Sequence, residues 1–470
     1  MDPYSRVLQE VLSKVKPKSS EYYYLSFIAR IACSYTSECL DELGVRDYEV
    51  TVQGSYAKDT FISGDADIDV FFLLKPYRYT TRFIEMFLVP GLKRCLESRG
   101  IRTVLDYAAH PYVTAFVGGV EVNIVPAFRV SSPRNLVSPV DRTPFHTEYV
   151  RSKLSEGMRD EVRLLKAFMK SVGVYGAEVR VQGFSGYLTE LLVIKYGSFL
   201  NVLRESAKWK PYKTCIDIEG YYKSPRDCLK RFPRSVMVVV DPVDPQRNAA
   251  AAVGLRSFSL FRICARMFLL KPSTKFFEPY RPKAEVQDVE RSVLAACSSM
   301  NRKLVLVLSN TAHRSEDVVW GQLRRLERSL VNQLKSRELR VLYIDSYLEH
   351  SKGIAMTLVD LQACAAPCHV HEGPPAHIVE NAVRFIAKNR DSLVGPWIDV
   401  DNRLLCIRIR DIASEVMECV KKVELEFVKP EKVIDLCSSL SELRNLALNS
   451  DTVSWLYESI NRERFRRLLS

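Results

Sequence analysis

Residues 54–69, Gly-Ser-Tyr-Ala-Lys-Asp-Thr-Phe-Ile-Ser-Gly-Asp-Ala-Asp-Ile-Asp, leave this chain few ways to fold. Residues 48–52 before them alternate apolar and polar, and a second apolar-alternating run begins at Asp67 and continues through 72. A period of two is the mark of a strand with one packed face. On the second strand Asp67 and Asp69 project together, while Ile68 and Val70 go to the other side. Two carboxylates side by side in an apolar strand repel each other unless a cation lies between them. Hard oxygen ligands suit Mg²⁺. A solvent-exposed edge strand is the bland alternative, and Ile68 with Phe71-Phe72 argues against it. Upstream, Gly54 lets the backbone approach an anion closely, and the Ser55 hydroxyl can hold phosphate.

The 470 residues suffice for about three domains. A hydrophobic share of 47% and a charged share of 26% describe an ordinary globular chain. No apolar run approaches the roughly 18 residues a membrane helix needs, and the opening Met-Asp-Pro-Tyr-Ser-Arg has no signal-peptide pattern. A cytoplasmic protein with no membrane partner is expected. A net charge of +12 fits a polyanionic partner. Most of the twelve cysteines, Cys33, Cys264 and Cys406 among them, fall in apolar periodic segments and read as reduced core residues. Disulfides would fit a hyperthermophilic source. Cys364, Cys368, His369 and His371 have metal-like residue types, but no second ligand pair of zinc-finger spacing follows.

Along the chain, 19–43 predicts a helix with Ser19 and Ser20 as candidate caps and Gly44 as its stop. A helix near 80–99 follows, then strands 112–117 and 120–125 flanking the hairpin signature Gly118-Gly119. This makes a small mixed sheet with helices on one side. On its last strand Glu121 and Asn123 share a face, while Val122 and Ile124 take the other. Residues 201–235 carry nine Lys or Arg against four acids, interleaved with Trp209, Tyr212, Tyr221, Tyr222 and Phe232. That composition suits phosphates and stacked bases, or equally a solvated face with half-buried aromatics.

Gly-Ser followed at this distance by Asp-x-Asp on a strand resembles the nucleotidyltransferase superfamily of DNA polymerase beta. With Ala57-Lys58-Asp59-Thr60 and Gly64-Asp65 it resembles one branch, the archaeal class I CCA-adding enzymes, which are tRNA nucleotidyltransferases. The likeness tightens at Val140-Asp141-Arg142-Thr143-Pro144-Phe145-His146-Thr147-Glu148, at Gln182-Gly183-Phe184-Ser185-Gly186-Tyr187-Leu188-Thr189-Glu190-Leu191-Leu192 and at 241–250, and loosens beyond 277. The resemblance implies an α+β multidomain fold. Residues 1–137 would be the nucleotidyltransferase head, 138–270 a helical neck that binds nucleotide, and 271–470 an α/β body and tail for the tRNA acceptor arm and T stem.

It also implies the chemistry. Asp67 and Asp69 would hold Mg²⁺ in a two-metal site, with position 123 as the third ligand. Gly54, Ser55, Lys58, Thr143, His146, Lys166 and Tyr175 would surround the triphosphate, and Arg247 would meet the base. C, C and A would be added without template to a tRNA 3′ end from CTP and ATP, by a monomer or homodimer. The family pattern has Asp at position 123, where this chain has Asn123. An amide offers a carbonyl oxygen but no charge, and it cannot accept a proton. Weakened metal binding and slower chemistry follow, by about a thousandfold if several kcal/mol are lost. Glu121 lies one strand period away, roughly 6.6 Å, too far to substitute directly. Three readings of Asn123 stand: a natural replacement, an engineered inactivation, or a chain that has lost its chemistry. The rival functions are an inactive RNA- and NTP-binding relative and a poly(A)-polymerase-like or oligoadenylate-synthetase-like transferase.

Overall fold

A computed structural model of the protein describes residues 3–107, 110–312, 314–362, 368–446 and 448–469. The chain divides into two compact units, Met1–Tyr280 with Phe465–Ser470, and Arg281–Arg464. The first unit is built on a five-stranded sheet. Its strands are β1 (Glu49–Gln53), β2 (Ile68–Leu74), β3 (Arg102–Tyr107), β4 (Pro111–Val117) and β5 (Val120–Phe128), in the order β1-β2-β5-β4-β3. β2 and β5 pair in parallel and the other pairs are antiparallel.

One face of the sheet is packed. Ile68, Val70, Phe72, Val122 and Ile124 are buried against Leu25, Ile28 and Ala32 of the helix Ser19–Glu42 and Leu92 of the helix Val89–Ser98. The register sets Asp69 directly beside Asn123 on the opposite face. The hairpin turn uses Gly118 and Gly119 at φ 57° and 79°, the two left-handed positions that a two-residue turn of this hand requires. The serine caps expected at the helix start are not formed: Lys18 is the N-cap residue, without a side-chain hydrogen bond, and Ser19 and Ser20 are already helical. In that first turn Glu21 instead accepts hydrogen bonds from Ser63 Oγ and Gly64 N, at 2.7 and 2.8 Å, and so holds the turn ahead of β2. Asp67 lies between that turn and the strand, which begins at Ile68.

The helices Glu156–Ser171, Gly186–Tyr196, Phe199–Ser206 and Leu255–Leu270 enclose a second core around Phe168, Phe199, Phe261 and Phe268. Trp209 belongs to this core, only 3% exposed, so it is packing and no platform for bases. Tyr221 and Tyr222 donate to the carbonyls of Pro242 and Pro245, each at 2.6 Å, and pin the loop that leads to Arg247. Tyr212 is exposed. A short parallel pair, β6 (Thr214–Ile216) with β7 (Met237–Val239), precedes that loop.

Sheet and helices of this unit are joined through buried ions. The Arg163 guanidinium, 1% exposed, donates to the carbonyls of Phe61 and Asp59 at 3.0 and 2.8 Å and pairs with the carboxylates of Asp59 and Asp160. Buried Asp141 accepts from Phe128 N at 2.7 Å, at the end of β5.

In the second unit β8 (Arg302–Thr311), β9 (Val341–Glu349), β10 (Ile354–Gln362) and β14 (Val428–Asp435) form an antiparallel sheet in the order β14-β8-β10-β9. β11 (Cys368–Pro375), β12 (Val394–Ile398) and β13 (Arg403–Ile409) form another, in the order β11-β13-β12. Cys364 lies outside the described residues. The His371 ring stacks on Phe385 at 5.4 Å, an ordinary packing contact.

The expectation of reduced cysteines fails for six of the twelve. Cys39–Cys95, Cys215–Cys228 and Cys297–Cys437 are disulfides, with Cα–Cα distances of 5.8, 6.5 and 5.7 Å. Pairs 56 and 140 residues apart meet only through the fold, so apolar periodicity alone does not reveal them. Cys33 and Cys406 are free thiols, and Cys264 is buried outside these disulfides. No described helix is long and apolar enough to cross a membrane.

Candidate active site

β1 ends where Gly54 turns the chain at φ +72°. A Cβ built there would lie 1.8 Å from Asp69 Oδ2. Only glycine leaves the Asp69 carboxylate its place, so the Gly54 position and the Asp69 position are one device. Ser55 follows in a single helical turn, Gly54–Ala57.

The polar face of the sheet concentrates negative charge. Loss of water contact raises the Asp69 carboxyl above its ordinary value; the Asn123 amide opposes this and Asp67 adds to it. Asp67 is raised by desolvation and by Asp65, against Lys170. Glu121 is raised by desolvation and by Asp67, Asp106 and Asp69. These carboxylates resist ionisation even with Lys170 and Lys58 acting on them, and an oxygen-ligated divalent cation supplies the further positive charge they need. Asn123 Nδ2 donates to Asp69 Oδ1 at 3.3 Å. Among the described residues no three Asp, Glu, His or Cys side chains converge as a ready-made metal set; an amide stands at the third position.

Next to this face lies a cationic cluster. Lys58 is buried and donates to Glu190 Oε2 at 2.6 Å, while Thr60 Oγ1 donates to Glu190 Oε1 at 2.6 Å. Lys166 donates to Thr60 O and Thr60 Oγ1 at 2.9 and 3.1 Å, and its ammonium is 3.6 Å from Glu190. Burial pulls the Lys166 ammonium down to about 8, although Glu190 resists it. Burial would raise Glu190, but the two lysines outweigh it and hold the carboxyl low. Gly186 is small for a reason: a Cβ there would be 2.9 Å from the Tyr175 hydroxyl and 3.9 Å from Lys166 Nζ. Tyr175 and Lys166 therefore meet at the start of the helix Gly186–Tyr196.

Asp241 is a second hub, fully buried. Its Oδ2 lies 2.9 Å from His146 Nε2 and accepts from Arg247 Nη1 at 2.8 Å. Its Oδ1 accepts from Tyr187 OH and Val243 N, at 2.9 and 3.0 Å. Burial pushes the carboxyl up, but His146 and Arg247 hold it down at about 2. The His146 ring stacks on Tyr187 with centroids 3.9 Å apart. Burial lowers the imidazole below its usual range, against the pull of Asp241. Arg247 lines a cavity of about 520 Å³ with Arg231, Gln246, Ser185 and the small side chains of Ala249 and Ala252.

Of the residues singled out in the sequence, Gly54, Asp69 and Asn123 gather at the sheet face beside Asp67. Lys58, Lys166 and Tyr175 gather around Glu190, and His146 joins Arg247 on Asp241. Thr143 begins the helix Thr143–Lys153 that carries His146. Lys58 ties the groups together electrostatically, since it lowers the carboxyl of Asp69 and the imidazole of His146. Sequence reasoning missed Glu190, Asp241, Thr114 and Asp106. Glu190 and Asp241 stand inside the matched strings, and the signal was an acid in an otherwise apolar or proline-bounded segment.

Three families match the chain in order. A nucleotidyltransferase domain matches 33–146, the second domain of tRNA nucleotidyltransferase matches 160–278, and the C-terminal domain of CCA-adding enzyme matches 301–428. A protein of Pyrobaculum islandicum named CCA-adding enzyme is 35% identical over 427 residues, covering 90% of this chain and 94% of that one. The protein of the same name from Sulfurisphaera tokodaii is 35% identical over 415 residues, 88% of this chain and 90% of that one. One from Saccharolobus islandicus is 37% identical over 403 residues, 86% of this chain and 88% of that one.

Proposed function

The chain belongs to the CCA-adding enzymes and is a nucleotidyltransferase, and on that premise we propose how its own residues do the work. It adds C, C and A to the 3′ end of a tRNA, without template, from CTP and ATP in the presence of Mg²⁺. The RNA hydroxyl attacks the α-phosphorus, the bond to pyrophosphate breaks, and the proton leaves with solvent or a nearby oxygen. Asp67, Asp69 and the Asn123 carbonyl would hold the cations, which supply charge stabilisation at the attacking and leaving oxygens. Lys58, Lys166, His146 and the Ser55, Thr143 and Tyr175 hydroxyls bind the triphosphate. Arg247 offers guanidinium donors to acceptors on either base. Residues 1–137 house the chemistry and 138–270 the nucleotide. Residues 271–470 grip the acceptor arm, in a cytoplasmic monomer or homodimer.

The observation that supports this most is the position of Lys58, which is bound to Glu190 and acts on both Asp69 and His146. It sets the reacting carboxylates and the nucleotide-binding side chains on one electrostatic centre. The test is to incubate the protein with Mg²⁺, CTP, ATP and a tRNA lacking its 3′ CCA, and to resolve the products base by base. Addition that stops after C, C and A is expected, slowly in the parent and at least about tenfold faster in Asn123→Asp, since restoring a charged ligand regains a kcal/mol or more. Long A tracts would refute the assignment in favour of a poly(A)-polymerase-like enzyme. A second reading rests on the Asn123 amide, which donates to Asp69: CTP binding with no turnover in either variant would favour an inactive nucleotide-binding relative.

A further inference from the structure

Thr114 stands on β4 directly opposite Asn123 on β5. Thr114 is 3% exposed, and its hydroxyl lies between Asp106 Oδ2 on β3 at 2.7 Å and Asn123 Oδ1 at 3.1 Å, with the Tyr112 phenol as a further hydrogen-bond neighbour. A threonine hydroxyl has one proton. The shorter contact, to a carboxylate, takes it. Asn123 Oδ1 then faces an oxygen with nothing to donate. Turning the Asn123 amide over removes this conflict at the cost of the Nδ2 hydrogen bond to Asp69, an exchange that a bound cation makes favourable. Nδ2 donates to Thr114 Oγ1, Thr114 donates to Asp106, and the amide carbonyl faces Asp69. Two oxygens in contact there are acceptable only with a cation between them.

We propose that Asp106 and Thr114 are positioning residues, a relay that turns the Asn123 carbonyl toward the cation held with Asp69. The acid in this chain's relay lies two strands from Asn123, on β3, and Thr114 passes its orienting effect across the sheet. The direction of the relay depends on which end is acidic. With Asp106 and Asn123, protons point toward β3. With Asp106→Asn and Asn123→Asp made together they would point toward β5, equally well matched: the new amide on β3 donates to Thr114, and Thr114 donates to the new carboxylate on β5. With an amide at both ends, Thr114 is free to donate to the Asn123 carbonyl and turn it away from the cation. With an acid at both ends, two carboxylates compete for one proton. This inference rests on the proposed cation site, but its test needs neither RNA nor nucleotide.

The test is a cycle of Asp106→Asn, Asn123→Asp and the double variant, with Mn²⁺ affinity measured by electron paramagnetic resonance. Orienting groups behind a metal ligand typically matter by about tenfold or more in affinity. Asp106→Asn alone is expected to weaken Mn²⁺ binding about tenfold. In the Asn123→Asp background the same change is expected to leave affinity unchanged or improve it. Thr114→Val should weaken binding as Asp106→Asn does, and Thr114→Ser should restore it to within about twofold, because the hydroxyl is what matters. Melting temperatures in EDTA identify any variant that merely unfolds. If Asp106→Asn has the same effect in both backgrounds, or if Thr114→Val binds Mn²⁺ as the parent does, the relay is wrong. Failure of CCA addition with a reversed sign in this cycle would instead count against the function alone.

Discussion

Replacing Asp241 by Asn tests how the proposed base and triphosphate contacts are joined. All four partners of this carboxylate approach as donors: His146 Nε2, Arg247 Nη1, Tyr187 OH and Val243 N. An amide brings an NH₂ that must face two of them. Set against Val243 N–H it meets a donor that cannot adapt. Set on the other side it can donate to the other His146 tautomer, but it expels Arg247. The second is the cheaper arrangement, so Arg247 is the group released. Against burial, His146 and Arg247 hold the Asp241 carboxyl at about 2 against an ordinary 3.8, a gap worth on the order of 2–3 kcal/mol. The folded value is the lower one, so this stability is present above about pH 4 and is lost as pH falls toward 2. At neutral pH Asp241→Asn should therefore melt about 5–10 °C below the parent. The gap should close as both are acidified. The KM for CTP and ATP should rise by about tenfold or more, the loss of one charge-assisted hydrogen bond. Calorimetry from pH 7 to 2.5 and single-nucleotide addition kinetics read both quantities. A melting gap that stays constant with pH, or a KM within twofold of the parent, would refute the assignment of Asp241 as the holder of Arg247.

Gly54→Ala puts a methyl 1.8 Å from Asp69 Oδ2 at φ +72°; activity should fall at least about a hundredfold, because misplacement near 1 Å costs that much, and Mn²⁺ titration should show the affinity lost while the melting temperature falls by only a few degrees. Lys166 loses its proton near pH 8, so triphosphate affinity should weaken as pH rises through 8; KM for ATP measured from pH 7 to 9.5 should climb in the parent and stay flatter in Lys166→Arg. Reduction of Cys297–Cys437, which closes a span of 140 residues, should destabilise the second unit by about 5 kcal/mol in the chain-entropy account; an unchanged unfolding transition in dithiothreitol would contradict it.

The sequence made β1, β2, β4 and β5 legible, because each alternates with period two and is bounded by glycine. It showed the Asp67, Asp69 and Asn123 face for the same reason. β3 was not singled out: its segment, Arg-Thr-Val-Leu-Asp-Tyr, gave no turn signal of its own. The partners of the site residues were illegible for a different reason. Lys58 and Glu190 are 132 residues apart, and His146 and Asp241 are 95 apart. No local pattern reports pairings across such spans. Trp209 was ambiguous because a basic, aromatic stretch suits both a core and a nucleic-acid surface; its contacts with Phe258 and Phe261 settle it as core.

The ions buried between sheet and helices restrict what can be done with this protein by recombination. A fragment ending at 137 would keep Lys58 and Asp59 but lose Glu190 and Arg163, and β5 would lose the Asp141 carboxylate that closes it. Lys58 would lose its carboxylate partner and Asp59 would keep only the Tyr22 hydroxyl, so both ion pairs would be lost at one cut. Residues 1–137 are therefore not a portable cassette. Grafting a relative's segment onto them after 137 would require bringing the partners of Lys58 and Asp59 with it, so the two stretches should be exchanged together or left alone.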